Sequence, residues 1–264
     1  MERKSTVIVI GGSSGIGCET CARFAGRNYN VFNISRTPCK NPKVKNIVAD
    51  VVAGSTFIDA IKNIGEKHGI KILIYSAGFS MAAPIEYAKE SDYRYLFDVN
   101  FFGALKAMQA AIPFMKDGGG RIILVGSLGG DIPILFDSFY SASKAALEML
   151  AREAYLELKP YNIKVTAYLP GGTATGFTYK RKVYTEDETK SYSRNMARAV
   201  DALAGMEQKG MSPATVAEGI LKISLSDKPP VVKASGFKNQ TYRILSHIVP
   251  EKITLNFNDR MYGQ

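Results

Sequence analysis

The sequence predicts an α/β fold, a doubly wound parallel sheet with helices on both faces. Three observations predict it. Thr6 to Ile10 (TVIVI) is a continuous apolar, β-branched run, the pattern of a strand buried on both faces. It runs straight into the glycine-rich turn Gly11-Gly12-Ser13-Ser14-Gly15-Ile16-Gly17, and a helical stripe of Ile16, Thr20 and Phe24 follows. Beyond that turn, apolar strand-like runs alternate with helical patterns, which argues for crossover connections and a parallel sheet.

Taken in order, strands are expected at 6–10, 30–34, 45–48, 71–75, 121–125 and 164–169, and helices at 15–25, 55–67, 91–115, 138–158 and 212–225. Ser212-Pro213 reads as a helix start, with serine as N-cap and proline at the first position. Asp117-Gly118-Gly119-Gly120 reads as a turn before a strand. Residues 172–211 break the alternation and are rich in Thr, Tyr, Lys and Arg. Their place after the carboxyl edge of the sheet makes them a lid over the pocket where such sheets bind ligands. In the tail, 229–264, Ile244, Leu245, Ile248 and Val249 suggest one helical face that packs on the core or forms a subunit contact. A peripheral membrane contact stays open. The whole of 1–264 reads as a single Rossmann-like domain, long enough for a full core.

Composition narrows the function classes. No run of eighteen apolar residues exists, so no spanning helix is expected. Met1 to Ser5 leads directly into the first strand, so no signal peptide and a cytoplasmic location are expected. Cys18, Cys21 and Cys39 show no metal spacing with the two histidines, His68 and His247. They read as free thiols, and no metal is expected. The formal charge of +10 is spread along the chain, densest at Lys180-Arg181-Lys182. No helix carries a basic stripe interleaved with aromatics, so no nucleic-acid partner is expected.

Two features carry chemistry. Strand, glycine turn and helix make the first half of a dinucleotide-binding βαβ unit. The glycines let the backbone approach a pyrophosphate, and the helix N-terminus supplies N–H groups. The spacing is GxxxGxG rather than GxGxxG. The second feature is Tyr140 with Lys144. Four residues apart on a helix they share a face, so an ammonium can sit beside a phenol and lower its pKa from about 10, giving a general acid/base near neutral pH. The second strand ends in Ser35-Arg36. An NAD-preferring site places an acidic side chain here for the ribose 2′-hydroxyl; Ser35 carries no charge, and Arg36 can pair with a 2′-phosphate instead. The expected cofactor is therefore NADP(H).

Together these residues resemble the short-chain dehydrogenase/reductase family over about residues 5 to 225. The family's motifs are met in order: the turn Gly11 to Gly17, then Tyr75-Ser76-Ala77-Gly78, Asn100, Ser127 thirteen residues before Tyr140, Lys144, and Pro170-Gly171 after a strand-like run. Two departures are Ile10 for the family's Thr and YSAG for NNAG, which should remove polar groups at the base of the sheet. The resemblance implies hydride transfer between a nicotinamide and a carbonyl or secondary alcohol. Tyr140 would give or take the proton, Lys144 would hold the nicotinamide ribose, and Ser127 would donate to the substrate oxygen. Asn100 would hold a water that links Lys144 to solvent. It further implies that Asp50, with Val51, contacts the adenine, that Ala77 and Gly78 line the cofactor, and that Thr173 and Thr175 face the carboxamide and phosphates. A homodimer or homotetramer is expected through the 138–158 helix, offering Leu147, Leu150, Ala151 and Ala154, and the 91–115 helix.

Phe79, Met81, Leu128, Ile134, Phe136 and Phe177 are expected to line the substrate pocket and suit a bulky apolar small molecule. The stretch from Asp98 to Phe177 is similar to hydroxysteroid and retinol dehydrogenases and to 3-ketosphinganine reductases. A reductase of small carbonyl compounds and a non-catalytic NADP-binding sensor or scaffold are the alternatives. The sensor class typically lacks the Tyr or the Lys, and both are present here.

Overall fold

The computed structural model describes residues 4–263. Met1 to Arg3, on which part of the signal-peptide expectation rests, lie outside the described residues. The described residues form nine strands, β1 Thr6–Ile10, β2 Asn30–Ser35, β3 Val44–Val48, β4 Ile72–Tyr75, β5 Met81–Ala82, β6 Gly120–Val125, β7 Ile163–Leu169, β8 Lys182–Val183 and β9 Val232–Ala234. The α-helices are α1 Gly15–Ala25, α2 Gly54–His68, α3 Glu90–Phe97, α4 Gly103–Ala111, α5 Ser138–Glu157, α6 Glu186–Thr189, α7 Ser193–Gln208, α8 Pro213–Leu225, α9 Gly236–Ile248 and α10 Glu251–Gly263.

Seven strands make one parallel sheet in the order β3-β2-β1-β4-β6-β7-β9. The order reverses beside β1, and the loops leaving β1 and β4 open a crevice there, the switch point at which such sheets bind ligands. Alternate side chains of each strand serve opposite faces. Ile8, Ile10, Leu73, Ile122 and Val165 pack under α2, α4 and α5, while Val7, Val9, Ile74 and Ile123 pack under α1 and α8. That two-sided burial is why these strands read as unbroken apolar runs.

The six expected strands and five expected helices are present, with three differences. The expected 91–115 helix is interrupted. Asp98–Phe102 is a π-helical turn between α3 and α4, and Ile112–Phe114 is 3-10. A π turn displaces carbonyls from the α ladder, and the phenol of Tyr75 donates to the carbonyl of Val99 in it. The YSAG variant therefore keeps a polar group at this place, against expectation. The second difference is the 172–211 segment, which folds into β8, α6 and α7, with β8 paired in parallel to β5. The third is β9, whose three residues are too few to read as a strand.

The expected association face also needs correction. Leu147, Ala151 and Ala154 belong to the core under the sheet, and Leu150 packs against it. The outward side chains nearby are Phe102, Met149 and Leu156. In the tail, α9 and α10 form a helical pair. Tyr262 and Asn258 are buried, with Asn258 donating to the carbonyl of Pro133, while Ile244, Leu245 and Ile248 remain exposed. No described helix is long and apolar enough to cross a membrane.

Candidate active site

A cavity of about 1770 Å³ runs along the carboxyl edge of the sheet. Gly11, Ser13, Ser14, Gly15, Ile16 and Gly17 line it, as do Ser35, Arg36, Asp50, Val51, Ala77 and Gly78. So do Ser127, Tyr140, Lys144, Pro170, Gly171, Thr173 and Thr175. Of the residues singled out in the sequence for cofactor or catalysis, Asn100 alone is set behind the wall, fully buried.

The glycine turn is built for close backbone approach. Gly11 has φ +83°, and a Cβ on it would meet the Ala77 nitrogen at 2.7 Å; a Cβ on Gly17 would meet the Gly11 carbonyl oxygen at 2.2 Å. No larger residue fits without moving backbone. The turn opens directly into the N-terminus of α1, whose first residues Gly15, Ile16 and Gly17 line the cavity and carry N–H groups without intrahelical partners. Ser14 is the N-cap and makes no side-chain cap bond. This cradle fits a dinucleotide pyrophosphate.

Sequence reasoning missed what braces the turn. Asn33, fully buried within the apolar β2, accepts from the Gly12 N–H at 2.8 Å and donates to Asn46 Oδ1 at 2.9 Å. Asn46 in turn bonds both the N–H and the carbonyl of Cys39, at 2.8 and 3.0 Å. This chain fixes the loop that carries Arg36. An asparagine inside a buried strand was the available signal, since a buried amide must find partners. Ser35 lies with Oγ 2.7 Å from the Thr37 carbonyl, and so helps to shape the same loop. Asp50 accepts from the Val52 N–H at 3.2 Å.

Asn100 sits in the π turn and clamps the end of the β4 loop. Its Nδ2 donates to the Phe79 carbonyl and to Ser143 Oγ, both at 3.0 Å, and its Oδ1 accepts from the Phe79 N–H at 3.0 Å. Both amide hydrogens are therefore used in bracing the wall. Ser127 Oγ accepts from the Gly129 N–H at 3.0 Å. Thr173 Oγ1 donates to the Gly171 carbonyl at 2.9 Å, and Thr175 Oγ1 accepts from the Phe177 N–H at 3.1 Å.

Tyr140 and Lys144 share the inner face of α5. Lys144 Nζ donates to the Val125 carbonyl at 2.9 Å and lies 5.7 Å from the Tyr140 ring centre. Burial lowers the lysine's pKa to about 8. The expected lowering of the phenol does not occur: burial drives Tyr140 upward, partly offset by a hydrogen bond with Ser127, while the charges of Asp137 and Glu207 push it further up. The reason is that the ammonium is turned to a carbonyl, and desolvation dominates. A phenol in this setting holds its proton at neutral pH and is ready to donate it. Ser127 and Tyr140 thus present two hydroxyls to one place in the cavity, an arrangement that can bind and protonate a carbonyl oxygen.

Phe79, Leu128, Ile134 and Phe177 line the cavity as expected; Met81 and Phe136 instead pack in the layer beneath it. Met206, Tyr242, Met261 and Tyr262, from α7, α9 and α10, complete the apolar wall. These residues lie too far along the chain from the motifs for local reading to recruit them.

Comparison with known proteins agrees with this geometry. The short chain dehydrogenase family matches residues 5–183. The chain belongs to this family. It is 31% identical over 228 residues to a 3-ketodihydrosphingosine reductase of Bacteroides thetaiotaomicron, covering 85% of each chain. It is 30% identical over 265 residues to an NADPH-dependent 1-acyldihydroxyacetone phosphate reductase of Saccharomyces cerevisiae, covering 94% of this dehydrogenase and 87% of the yeast protein. Among solved structures, a short-chain dehydrogenase from Streptomyces avermitilis superposes with a TM-score of 0.82 at 23% identity, over 98% of this chain and 96% of that one. That likeness establishes the shared fold.

Proposed function

We propose that this dehydrogenase uses NADP(H) to interconvert a ketone and a secondary alcohol on a bulky, apolar, lipid-like substrate. The observation that carries the reading is the meeting of Ser127, Tyr140 and Lys144 on one cavity, with a glycine cradle at one end and an apolar wall at the other. When bound, the nicotinamide supplies or accepts the hydride. The chain's own residues do the rest. The α1 N-terminus and glycine turn bind the pyrophosphate. Arg36, with no carboxylate at position 35, holds the 2′-phosphate. Asp50 and Val51 flank the adenine, Ala77, Gly78, Pro170 and Gly171 border the nicotinamide half, and Lys144 orients its ribose. Tyr140 donates its proton to the substrate oxygen while Ser127 donates a hydrogen bond to it. Burial keeps the phenol protonated at neutral pH, the form that donates in the reduction.

The yeast relative is NADPH-dependent by name, and the bacterial and yeast relatives both reduce lipid ketones by name. Residues 172–211 act as the lid over the substrate. A homodimer or homotetramer forms through α5 and the π turn before α4, with Phe102, Met149 and Leu156 as the contact. The test is NADPH oxidation with a panel of ketones graded in chain length. Rates should rise with apolar chain length. A flat profile, or turnover of short carbonyls alone, overturns the substrate class; no turnover of any ketone overturns the reaction.

A further inference from the structure

Two arginines near the cavity, Arg181 and Arg243, are mostly withdrawn from water and serve different parts of it. Arg181 pairs with Glu207 at 2.6 Å and donates to Ser80 Oγ, which in turn donates to Asp137. It ties β8 and α7 to the body of the fold. Arg243 lies on α9, beyond the stretch 5–183 that matches the family. Its side chain is 13% exposed. Its Nε donates to Asp131 Oδ2, and its Nη2 donates to Glu148 Oε1 at 3.1 Å. Both carboxylates are nearly buried as well. The neighbouring Tyr242 lines the cavity, whereas Arg243 turns to these two acids.

The two acids sit on the two elements that carry the reacting hydroxyls. Asp131 closes the 3-10 turn Leu128–Gly130, whose N-cap is Ser127. That turn is tight. The Gly130 and Asp131 N–H groups donate to the Ser127 and Leu128 carbonyls, both at 3.0 Å, and Ser127 Oγ accepts from the Gly129 N–H. A displacement of Asp131 is therefore passed to Ser127. Glu148 stands on α5 one turn after Lys144, which stands one turn after Tyr140. Arg152 holds the same Glu148 Oε1 at 2.5 Å and so fixes its direction. Turn and helix meet backbone to backbone: a Cβ on Gly130 would lie 2.9 Å from the Ala145 nitrogen and from the Lys144 carbonyl carbon. No side chain of Gly130 interlocks there to set how the turn lies along α5. The guanidinium of Arg243 does so from a third element. A nearly buried ion pair gains little net stability over apolar packing of the same volume. What it adds here is direction, since a planar fork can hold two carboxylates in fixed relation.

We propose that Arg243 is a positioning residue for the reduction: it clasps the Ser127 turn to α5 and so sets the Ser127 hydroxyl beside that of Tyr140. This rests on the ketone-reductase reading above. Arg243 acts through Ser127. One substrate oxygen must meet both hydroxyls at once, so small displacements of either are costly in rate. The cofactor cradle, on α1 and the glycine turn, is built without Arg243.

The test is a double-mutant cycle on NADPH-dependent reduction of a long-chain ketone. Arg243→Lys keeps a charge for the two carboxylates, but a single ammonium does not span both as the fork does. Its kcat should fall about tenfold to a hundredfold, the scale of a misplacement of about 1 Å, with the KM for NADPH kept. In the Ser127→Ala background the same change should cost almost nothing more, because the hydroxyl it places is gone. Additive losses would mean that Arg243 acts elsewhere and overturn the inference. Wild-type kcat in Arg243→Lys overturns it too and leaves the reaction standing. A rise in the KM for NADPH in step with the fall in kcat marks a general loosening and also overturns it. A wild type that reduces no ketone overturns both the reaction and the inference. Should Arg243→Lys not fold, Asp131→Ala cuts the clasp at its other arm while Arg243 keeps Glu148, and the same cycle with Ser127→Ala decides.

Discussion

The two ends of the cavity are built in opposite ways. The cofactor end is made of contiguous backbone: a strand, a glycine turn with φ +83° at Gly11, and a helix N-terminus. Its polar braces, Asn33 and Asn46, reach across neighbouring strands only. The substrate end is made of side chains brought from afar. Ser80 meets Arg181 across 101 residues, and Asn258 meets Pro133 across 125. The cofactor is common to many reactions and can be met by fixed backbone; the substrate is particular and is met by exchangeable side chains on added elements. Changes at one end should leave the other end's binding intact.

The largest effect tests that independence at the buried ion pair. Arg181→Met leaves Glu207 and Asp137 buried without a cation, a loss of about 3–5 kcal/mol where a buried pair is broken. The cap of β8 and α7 should loosen, seen as faster hydrogen exchange over 178–208, with NADPH affinity nearly kept. Equal loss of NADPH binding would show the two ends to be one cooperative unit. Next, Tyr140→Phe removes the hydroxyl at the junction of the two ends. Turnover should fall at least about a hundredfold, the usual scale for general acid/base work, while both ligands still bind. Wild-type turnover in that variant would remove Tyr140 from the mechanism. At the cofactor end, Ser35→Asp with Arg36→Ala should shift preference from NADPH toward NADH by about ten- to a hundredfold, the scale of one charge-assisted contact. Unchanged NADPH affinity would assign the 2′-phosphate to other residues, such as Lys40 or Lys43.

A further effect is on the pH dependence of stability. Asp137 has a folded pKa of about 7, raised by burial above its ordinary carboxylate value of 3.8. The native state therefore binds the proton more tightly, and stability falls as pH rises from about 4 to 7. Asp137→Asn lacks this penalty, so its melting temperature should gain on the wild type across that interval. A difference independent of pH would mean that burial does not raise the Asp137 pKa.

How much was legible follows the same division. The strands under the sheet showed as apolar runs because burial on both faces leaves no alternation to interpret. The glycine turn, Ser127, Tyr140 and Lys144 were readable because each carries a local constraint on residue type. The π turn at Asn100 was not, since a five-residue change of ladder leaves the hydrophobic period nearly intact. Leu147, Ala151 and Ala154 were misassigned to an outer face because α5 is apolar on more than one stripe, with Met149 and Leu156 pointing outward. That Asp137 and Arg181 both meet Ser80 could not be read from sequence, because nothing local says that a helix-capping aspartate will turn from its helix toward a serine fifty-seven residues earlier.

The central claim is that this cavity passes a hydride to a lipid-like ketone. The direct measurement uses NADPH deuterated at the transferable position of the nicotinamide, both stereoisomers in turn, with a long-chain ketone and mass spectrometry of the alcohol. One isomer should deliver a single deuterium to the carbinol carbon in the wild type and almost none through Tyr140→Phe. Alcohol formed without deuterium from either isomer, or no alcohol from any long-chain ketone, would contradict the account.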